Sequence, residues 1–396
     1  MDRFQRIHIV EDLGFLTWTP DEETRPKPLS AIAGSDEVLS CLSSFGKGVE
    51  EVGEDHRAGW PRPPSFTTHD ADLPPNLQPS AADVARSVTR FCCPCNFSLP
   101  QGMHQQMRTS QFPFSAPKII SLYAAQRMGC DIKRLDFVFG GSTLNFLASA
   151  EPLSDWERQN GPSRYACELL HVPGHESGDG VLFVSKMNHY VANYNDPGYQ
   201  FERVLGANCG FGADSQQAFR AACNEPAKPD KHEHLQVIQI GPYSVLMSAD
   251  SDAIETTSNG VTPVEIKCGN PRHFGLKVMW QMLSNGSQTL ILANKRGRVN
   301  EVQTLFAAES RTFREMVQEH SPIVICLAEG NIEASMSKLR NWQRNGELQA
   351  GQVYELIFVG RGVETGLVLK PLFGREAQML SQLPPVHVLE QLLGSV

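Results

Sequence analysis

Residues 244–267, SVLMSADSDAIETTSNGVTPVEIK, carry two pairs of ionisable side chains at strand spacing. Asp250 and Asp252 form one pair, Glu265 and Lys267 the other. Residues two apart in an extended strand point to the same face, so each pair projects together. Between the pairs stands Ser258-Asn259-Gly260, and an Asn-Gly step is the strongest short-range hairpin signal a sequence offers. A closed hairpin is therefore expected to gather three carboxylates and one ammonium on a single sheet face. Carboxylates that share a site raise one another's pKa unless a cation intervenes. A divalent metal ion is the simplest neutralising partner.

The rest of the chain sets the scale of the fold around this cluster. With 396 residues, 41% hydrophobic and 20% charged, it has the composition of a soluble globular protein with a sizeable core. The net charge of −9 argues against a basic footprint for duplex nucleic acid over the whole surface but leaves room for a local basic groove. No apolar run approaches the roughly 20 residues a bilayer requires, and the opening MDRFQRIHIVEDLG lacks the apolar core of a signal peptide. A cytoplasmic or nuclear location is expected. The ten cysteines are scattered, which favours reduced thiols. Cys92, Cys93 and Cys95 cluster, with His104 close by, but no second ligand pair stands at finger-like spacing. They read as a thiol-rich loop rather than a zinc site.

Along the chain, residues 5–18 predict one or two opening strands. Residues 20–79 are rich in Pro, Ser, Gly and charge and read as a long surface excursion. Helices are expected from Ser80, where Ser80 and Asp83 resemble a capping pair, over 118–128, and from Asp196-Pro197. Residues 134–147, RLDFVFGGSTLNFL, read as a buried strand running into a Gly-Gly turn. Further strands are expected over 164–171, 180–186 and, after a polar loop at 228–234, over 235–240. His232-Glu233-His234 lacks the spacing of the helical metalloprotease motif. Residues 272–284 predict a helix with Leu276, Met279, Trp280 and Leu283 on one side; Lys277 and Gln281, four apart, face either water or the site. The strand 289–294 is expected to end in a basic turn, Lys295-Arg296-Gly297-Arg298, which is either solvated or a phosphate contact. Helices near 311–320 and 332–345 alternate with strands near 323–327, 353–358 and 366–372. Strands joined by hairpins point to an α+β fold: mixed, largely antiparallel sheets flanked by helices. The expected organisation is a single catalytic-type domain over 80–396, with residues 1–79 supplying strands and a Pro-rich excursion that pack on it.

The order Glu202, then Asp-x-Asp, then Glu-x-Lys suits a metal-dependent phosphodiester nuclease. Hard oxygen ligands hold Mg²⁺ or Mn²⁺, and two such ions stabilise the attacking and leaving oxygens of an in-line displacement. Lys267 can orient or help deprotonate an attacking water, and Gln281 can hold the same water or a phosphate oxygen.

These residues also carry a resemblance. GYQFE at 198–202, SADSD at 248–252, VEIK at 264–267 and LKVMWQ at 276–281 resemble the successive motifs of the DXO/Dom-3 family. That family comprises RNA 5′-end decapping and deNADding enzymes that act as 5′ to 3′ exonucleases on a PD-(D/E)xK-nuclease-like core. The similarity spans residues 137–299, and more loosely the opening IVEDLGF and the C-terminal strands. It implies that Glu202, Asp250, Asp252 and Glu265 are metal ligands together with the carbonyl of Ile266. It places Lys267 and Gln281 at the water and the scissile phosphate, and implies an RNA 5′ end, cap-like, NAD-bearing or phosphorylated, as the partner.

Three departures stand beside those matches. Asp250 replaces the glutamate of the family's G-E-x-D motif and is one methylene shorter. Gly140 or Gly141 stands where the family has a phosphate-gripping arginine, a loss that weakens substrate binding or transition-state charge stabilisation. Ala293-Asn294-Lys295 stands for its G-F-R motif, and Lys295 keeps the charge without the fork. The expected function is a Mg²⁺- or Mn²⁺-dependent RNA 5′-end-processing hydrolase. The competing expectation is a catalytically weakened RNA-binding or regulatory protein of the same fold. A DNA-directed nuclease ranks lowest.

Overall fold

Residues 137–140, FVFG, have no polar side chain to present to water, and all four are buried. A strand of this kind belongs at the centre of a sheet covered on both faces. In the computed structural model it is strand β4 (Phe137–Gly140) and runs parallel to β6 (Val181–Met187) and β8 (Tyr243–Ser251). The structure describes residues 4–19, 65–67, 95–100, 118–150, 164–187, 231–257, 260–268, 275–300, 303–359, 366–374, 377, 381 and 383.

Antiparallel partners extend the sheet on both sides. Beyond β6 come β5 (Arg164–Leu170), β13 (Tyr354–Val359) and β14 (Gly366–Pro371). Beyond β8 come β7 (Lys231–Ile240), β1 (Ile7–Thr19) and β2 (Ser65–Thr67), completing nine strands in the order β14-β13-β5-β6-β4-β8-β7-β1-β2. A second, five-stranded sheet has the order β3-β12-β11-β10-β9, built from β3 (Cys95–Pro100), β9 (Ala253–Thr257), β10 (Gly260–Cys268), β11 (Thr289–Asn300) and β12 (Gln303–Thr312). The fold is mixed α+β with a large, mostly antiparallel sheet and flanking helices, as the hairpin-rich sequence implies.

Period-two alternation sends neighbouring side chains of the large sheet into different layers. Val138, Leu235, Val237 and Leu246 pack with Ile119, Leu122 and Ala125 of helix α1 (Lys118–Arg127). Phe137, Phe139, Ile238, Val245 and Met247 join the opposite layer. That layer is closed by helices α2 (Thr143–Ser149), α3 (Gly275–Ser284), α4 (Phe313–Gln318) and α5 (Pro322–Arg344). No described helix is long and apolar enough to cross a membrane.

Several local readings need correction. Residues 323–327, expected as a strand, are the first turns of α5. The β-branched run Ile323-Val324-Ile325 favours a strand, but Pro322 is preorganised for the first helical turn, and Ile325, Ala328, Ile332, Met336 and Leu339 then bury one helical face. The basic cluster at 295–298 is not a turn, because β11 continues to Asn300 against β12, with register shifts between Lys295 and Asn300. Residues 231–234 belong to strand β7 rather than to a loop. The helices expected from Ser80 and Asp196, Cys92, Cys93, and nearly all of the Pro-rich excursion lie outside the described residues.

One buried cation locks the long helix to the sheet. Arg340, 1% exposed, donates from Nη1 to Gly180 O at 2.9 Å and from Nη2 to Asp136 O at 2.6 Å and Asp136 Oδ1 at 3.0 Å. Its guanidinium also lies 4.9 Å from the ring centroid of Phe137. Replacing Arg340 by Met keeps the volume but removes these three hydrogen bonds and the cation that faces Asp136. Urea unfolding is expected to show a loss of about 3 kcal/mol, the range for breaking a buried ion pair on one side. A loss below about 0.5 kcal/mol, typical of a surface position, would remove this lock from the account.

Candidate metal centre

The Asn-Gly signal is borne out in the pairing of β9 with β10, whose last and first residues, Thr257 and Gly260, stand opposite one another. Ser258 and Asn259 lie outside the described residues. The two acidic pairs do not share one hairpin face, however. Asp250 belongs to β8 in the nine-stranded sheet, whereas Glu265 and Lys267 belong to β10 in the five-stranded sheet. The chain bends at Asp252, so this residue stands where one sheet passes into the other.

At that junction three side chains meet. Lys267 Nζ lies 2.5 Å from Glu265 Oε1 and 3.1 Å from Asp252 Oδ2. Asp252 Oδ2 also accepts from the backbone N–H of Ile266 at 2.9 Å. Strand alternation places Glu265 and Lys267 on one side of β10, and the Asp252 contact with the Ile266 amide fixes the bend against that strand. Glu265 is nearly inaccessible, with 4% of its side chain exposed, against 23% for Asp252 and 19% for Lys267.

The electrostatics follow from that burial. Desolvation, and then the neighbouring charge of Asp252, raise the Glu265 pKa from 4.5 to about 7, although Lys267 and a hydrogen bond from Asn285 pull the other way. Among the described residues no three metal-ligating side chains cluster. Asp252 and Glu265 bring two hard oxygen donors together beside one ammonium, and one or two carboxylates are the usual protein ligands of Mg²⁺.

Asn285 is a residue the sequence reading did not single out. It donates from Nδ2 to Glu265 Oε2 at 2.5 Å and to Asp250 O at 3.4 Å. Lys277, Gln281 and Asn285 are successively four apart, so continuing the Lys277–Gln281 stripe by one turn was the available signal. In the structure Gln281 is half-buried, Lys277 is exposed, and the Asn285 backbone N–H donates to Gln281 O at 3.0 Å. Asp250 is exposed and stands opposite Glu233 of β7. Glu202 and the side chain of Lys295 lie outside the described residues.

Glu233 and His234 divide between the two faces of β7. Buried Glu233 accepts from Lys118 Nζ at 2.9 Å, and the same ammonium donates to Ser248 Oγ at 3.2 Å. His234 turns the other way, to Asp12 Oδ1 at 2.8 Å. No local pattern could have announced Lys118, whose partners lie more than a hundred residues away in sequence.

No protein-family model and no curated protein sequence matches the chain. Solved structures do. A mutant of S. pombe Rai1 in complex with 3′-FADP superposes with a TM-score of 0.54 at 10% identity, covering 93% of this chain and 95% of that one. Another S. pombe Rai1 structure gives a TM-score of 0.50 at 13% identity over 73% of this chain and 88% of that one. The chain has the Rai1 fold. It is also the fold that the motif resemblance implies.

Within the Rai1 fold, the two glycines at the end of β4 acquire a physical reason. A Cβ on Gly140 would stand 2.6 Å from Ser185 Oγ, with the Lys118 side chain behind it. A Cβ on Gly141 would stand 2.7 Å from Ala249 Cβ and 3.2 Å from its Cα. The close approach of β4 to β8 and β6 leaves no room for an arginine at either position.

Two outcomes follow. Gly141→Arg is expected to cost about 1–3 kcal/mol of stability, the usual range for overpacking, and to displace β8 rather than restore a phosphate clamp; tighter binding of 5′-phosphorylated RNA at unchanged stability would contradict this. The second concerns pH. A carboxyl group with a raised folded-state pKa contributes stability that is fully present below 4.5 and is lost as pH rises through about 7. Without divalent cations the melting temperature should therefore fall across that window, Glu265→Gln should flatten the fall, and added Mn²⁺ should reverse it at pH 8. A parent profile that Glu265→Gln leaves unaltered would exclude this origin.

Proposed function

We propose that the chain is a divalent-metal-dependent hydrolase acting at RNA 5′ ends, by decapping, deNADding or 5′ to 3′ exonucleolysis. The observation that carries the reading is the Asp252–Glu265–Lys267 cluster, with Glu265 buried, at the junction of the two sheets. The Rai1 fold around it supports the nuclease class, and the S. pombe Rai1 mutant solved with 3′-FADP supports a nucleotide 5′ end as ligand.

Asp252 and Glu265, together with Glu202, Asp250 and the carbonyl of Ile266, would hold two Mg²⁺ or Mn²⁺ ions. Bound there, such ions stabilise charge on the attacking and leaving oxygens of an in-line displacement at phosphorus. The chain's own groups then have defined tasks. Lys267, already tethered to both carboxylates, orients the attacking water through its ammonium N–H groups. Gln281, on the helix turn preceding Asn285, holds the water or a non-bridging phosphate oxygen. Lys277, exposed one turn earlier, supplies positive charge for the RNA backbone, and Lys295 would be a second cation for it.

A second reading rests on Gly140 and Gly141. With no space for the family arginine, the groove loses a bidentate phosphate contact, and the chain becomes an RNA-binding protein with weak turnover.

The deciding assay is Mn²⁺- and Mg²⁺-dependent turnover of RNAs bearing a 5′ monophosphate, triphosphate, cap or NAD, with DNA as the comparison. Hydrolysis of at least one RNA class is expected, with Asp252→Asn and Glu265→Gln each lowering kcat at least 100-fold, about 3 kcal/mol of transition-state stabilisation. Activity that survives both substitutions would refute the site. RNA binding without turnover across the metals, unaffected by Lys267→Ala, would favour the second reading.

A further inference from the structure

We infer that Asn285 is the positioning residue of the metal centre, a brace that holds Glu265 of β10 and the end of β8 at the separation a shared cation needs. The inference rests on the metal-dependent reading above and adds a residue that the motif resemblance does not assign. Asn285 lies just beyond α3 and is 2% exposed. Each of its polar side-chain groups is committed. The two Nδ2 hydrogens serve Glu265 Oε2 at 2.5 Å and Asp250 O at 3.4 Å, and Oδ1 accepts from Ser287 N at 3.1 Å. The first two contacts join one strand from each sheet. The third fixes the amide's orientation, so that its NH₂ side faces the carboxylate.

The brace is itself anchored. Gln236 of β7 donates from Nε2 to Leu283 O at 2.5 Å and to Ser284 O at 3.1 Å, holding the last turn of α3 against the large sheet. A displacement of Asn285 therefore requires that the helix end leave β7.

The amide also governs what Glu265 has left to offer. An ionised carboxylate presents about four lone-pair sites. Lys267 takes one on Oε1 and Asn285 one on Oε2, so each oxygen retains a site for a cation. Without Asn285 the buried carboxylate is free to rotate toward Lys267, and the Asn285 tie between Glu265 and the Asp250 carbonyl is lost. An aspartate at 285 would be worse, placing a second negative charge against Oε2 in a desolvated site. Groups that orient metal ligands from behind commonly change affinity by 10–100-fold when removed.

The test uses the full-length chain and Mn²⁺ alone as probe, with free Mn²⁺ read by electron paramagnetic resonance at pH 8. Urea unfolding without metal is measured alongside. Asn285→Asp and Asn285→Ser are compared with the parent and with Glu265→Gln. The expected result is a Mn²⁺ dissociation constant raised about 10–100-fold in both Asn285 variants. Asn285→Asp should be the weaker binder of the two, and RNA turnover at saturating Mn²⁺ should recover toward the parent value. Asn285→Gln is the conservative variant and is expected to recover part of the affinity. A purely structural asparagine would lower the unfolding midpoint while leaving the dissociation constant within about twofold, and that outcome overturns the assignment. If one variant fails to fold, the remaining two decide it by the same criterion. Absence of Mn²⁺ binding by the parent itself would overturn the metal reading and this assignment together, whereas binding by the parent that the variants share overturns the assignment alone.

Discussion

The account turns on one ammonium between two carboxylates. Lys267 holds Asp252 and Glu265 together across the junction of two sheets, in a place where burial makes negative charge costly. Remove the lysine, and like charges face one another inside the protein. Keep it, and burial, with the neighbouring Asp252, still holds the Glu265 carboxyl above its ordinary pKa. On the proposed reading, the arrangement that makes charge on Glu265 costly is also the one that would receive a small, hard cation. Structure and chemistry thus have a common origin in the placement of Glu265 on a buried strand.

The large sheet exists, from this viewpoint, to deliver the end of β8 to that point. β4 runs parallel to both β8 and β6 and is packed so tightly between them that a glycine is needed against each where β4 ends. The Lys118–Glu233 pair and Ser248 fill the space behind them. Positive charge stands beside Gly140, but it is buried and committed to Glu233.

Much of the site was legible because its logic is local. Period-two spacing paired Glu265 with Lys267, and Asn-Gly announced the β9–β10 turn. What sequence spacing could not say is which sheet each strand joins. Asp250 and Glu265 lie fifteen residues apart yet belong to different sheets, because β8 is recruited by its hairpin partner β7 and by β4, an element from a distant part of the chain. The same limit hid Asn285, whose value lies in touching two strands at once, and Lys118, whose partners are remote in sequence. At residues 323–327 the error had another origin: strand propensity was real but lost to a proline-started helix with a better buried face.

The most direct measurement is a crystal structure of the full-length chain soaked with Mn²⁺, read by anomalous scattering at the metal edge. The account predicts a peak in coordination range of both Asp252 and Glu265, with Lys267 withdrawn from at least one of them and Asn285 still bonded to Glu265. A map with no peak at the junction, and with Lys267 still bridging the two carboxylates in saturating Mn²⁺, would contradict it.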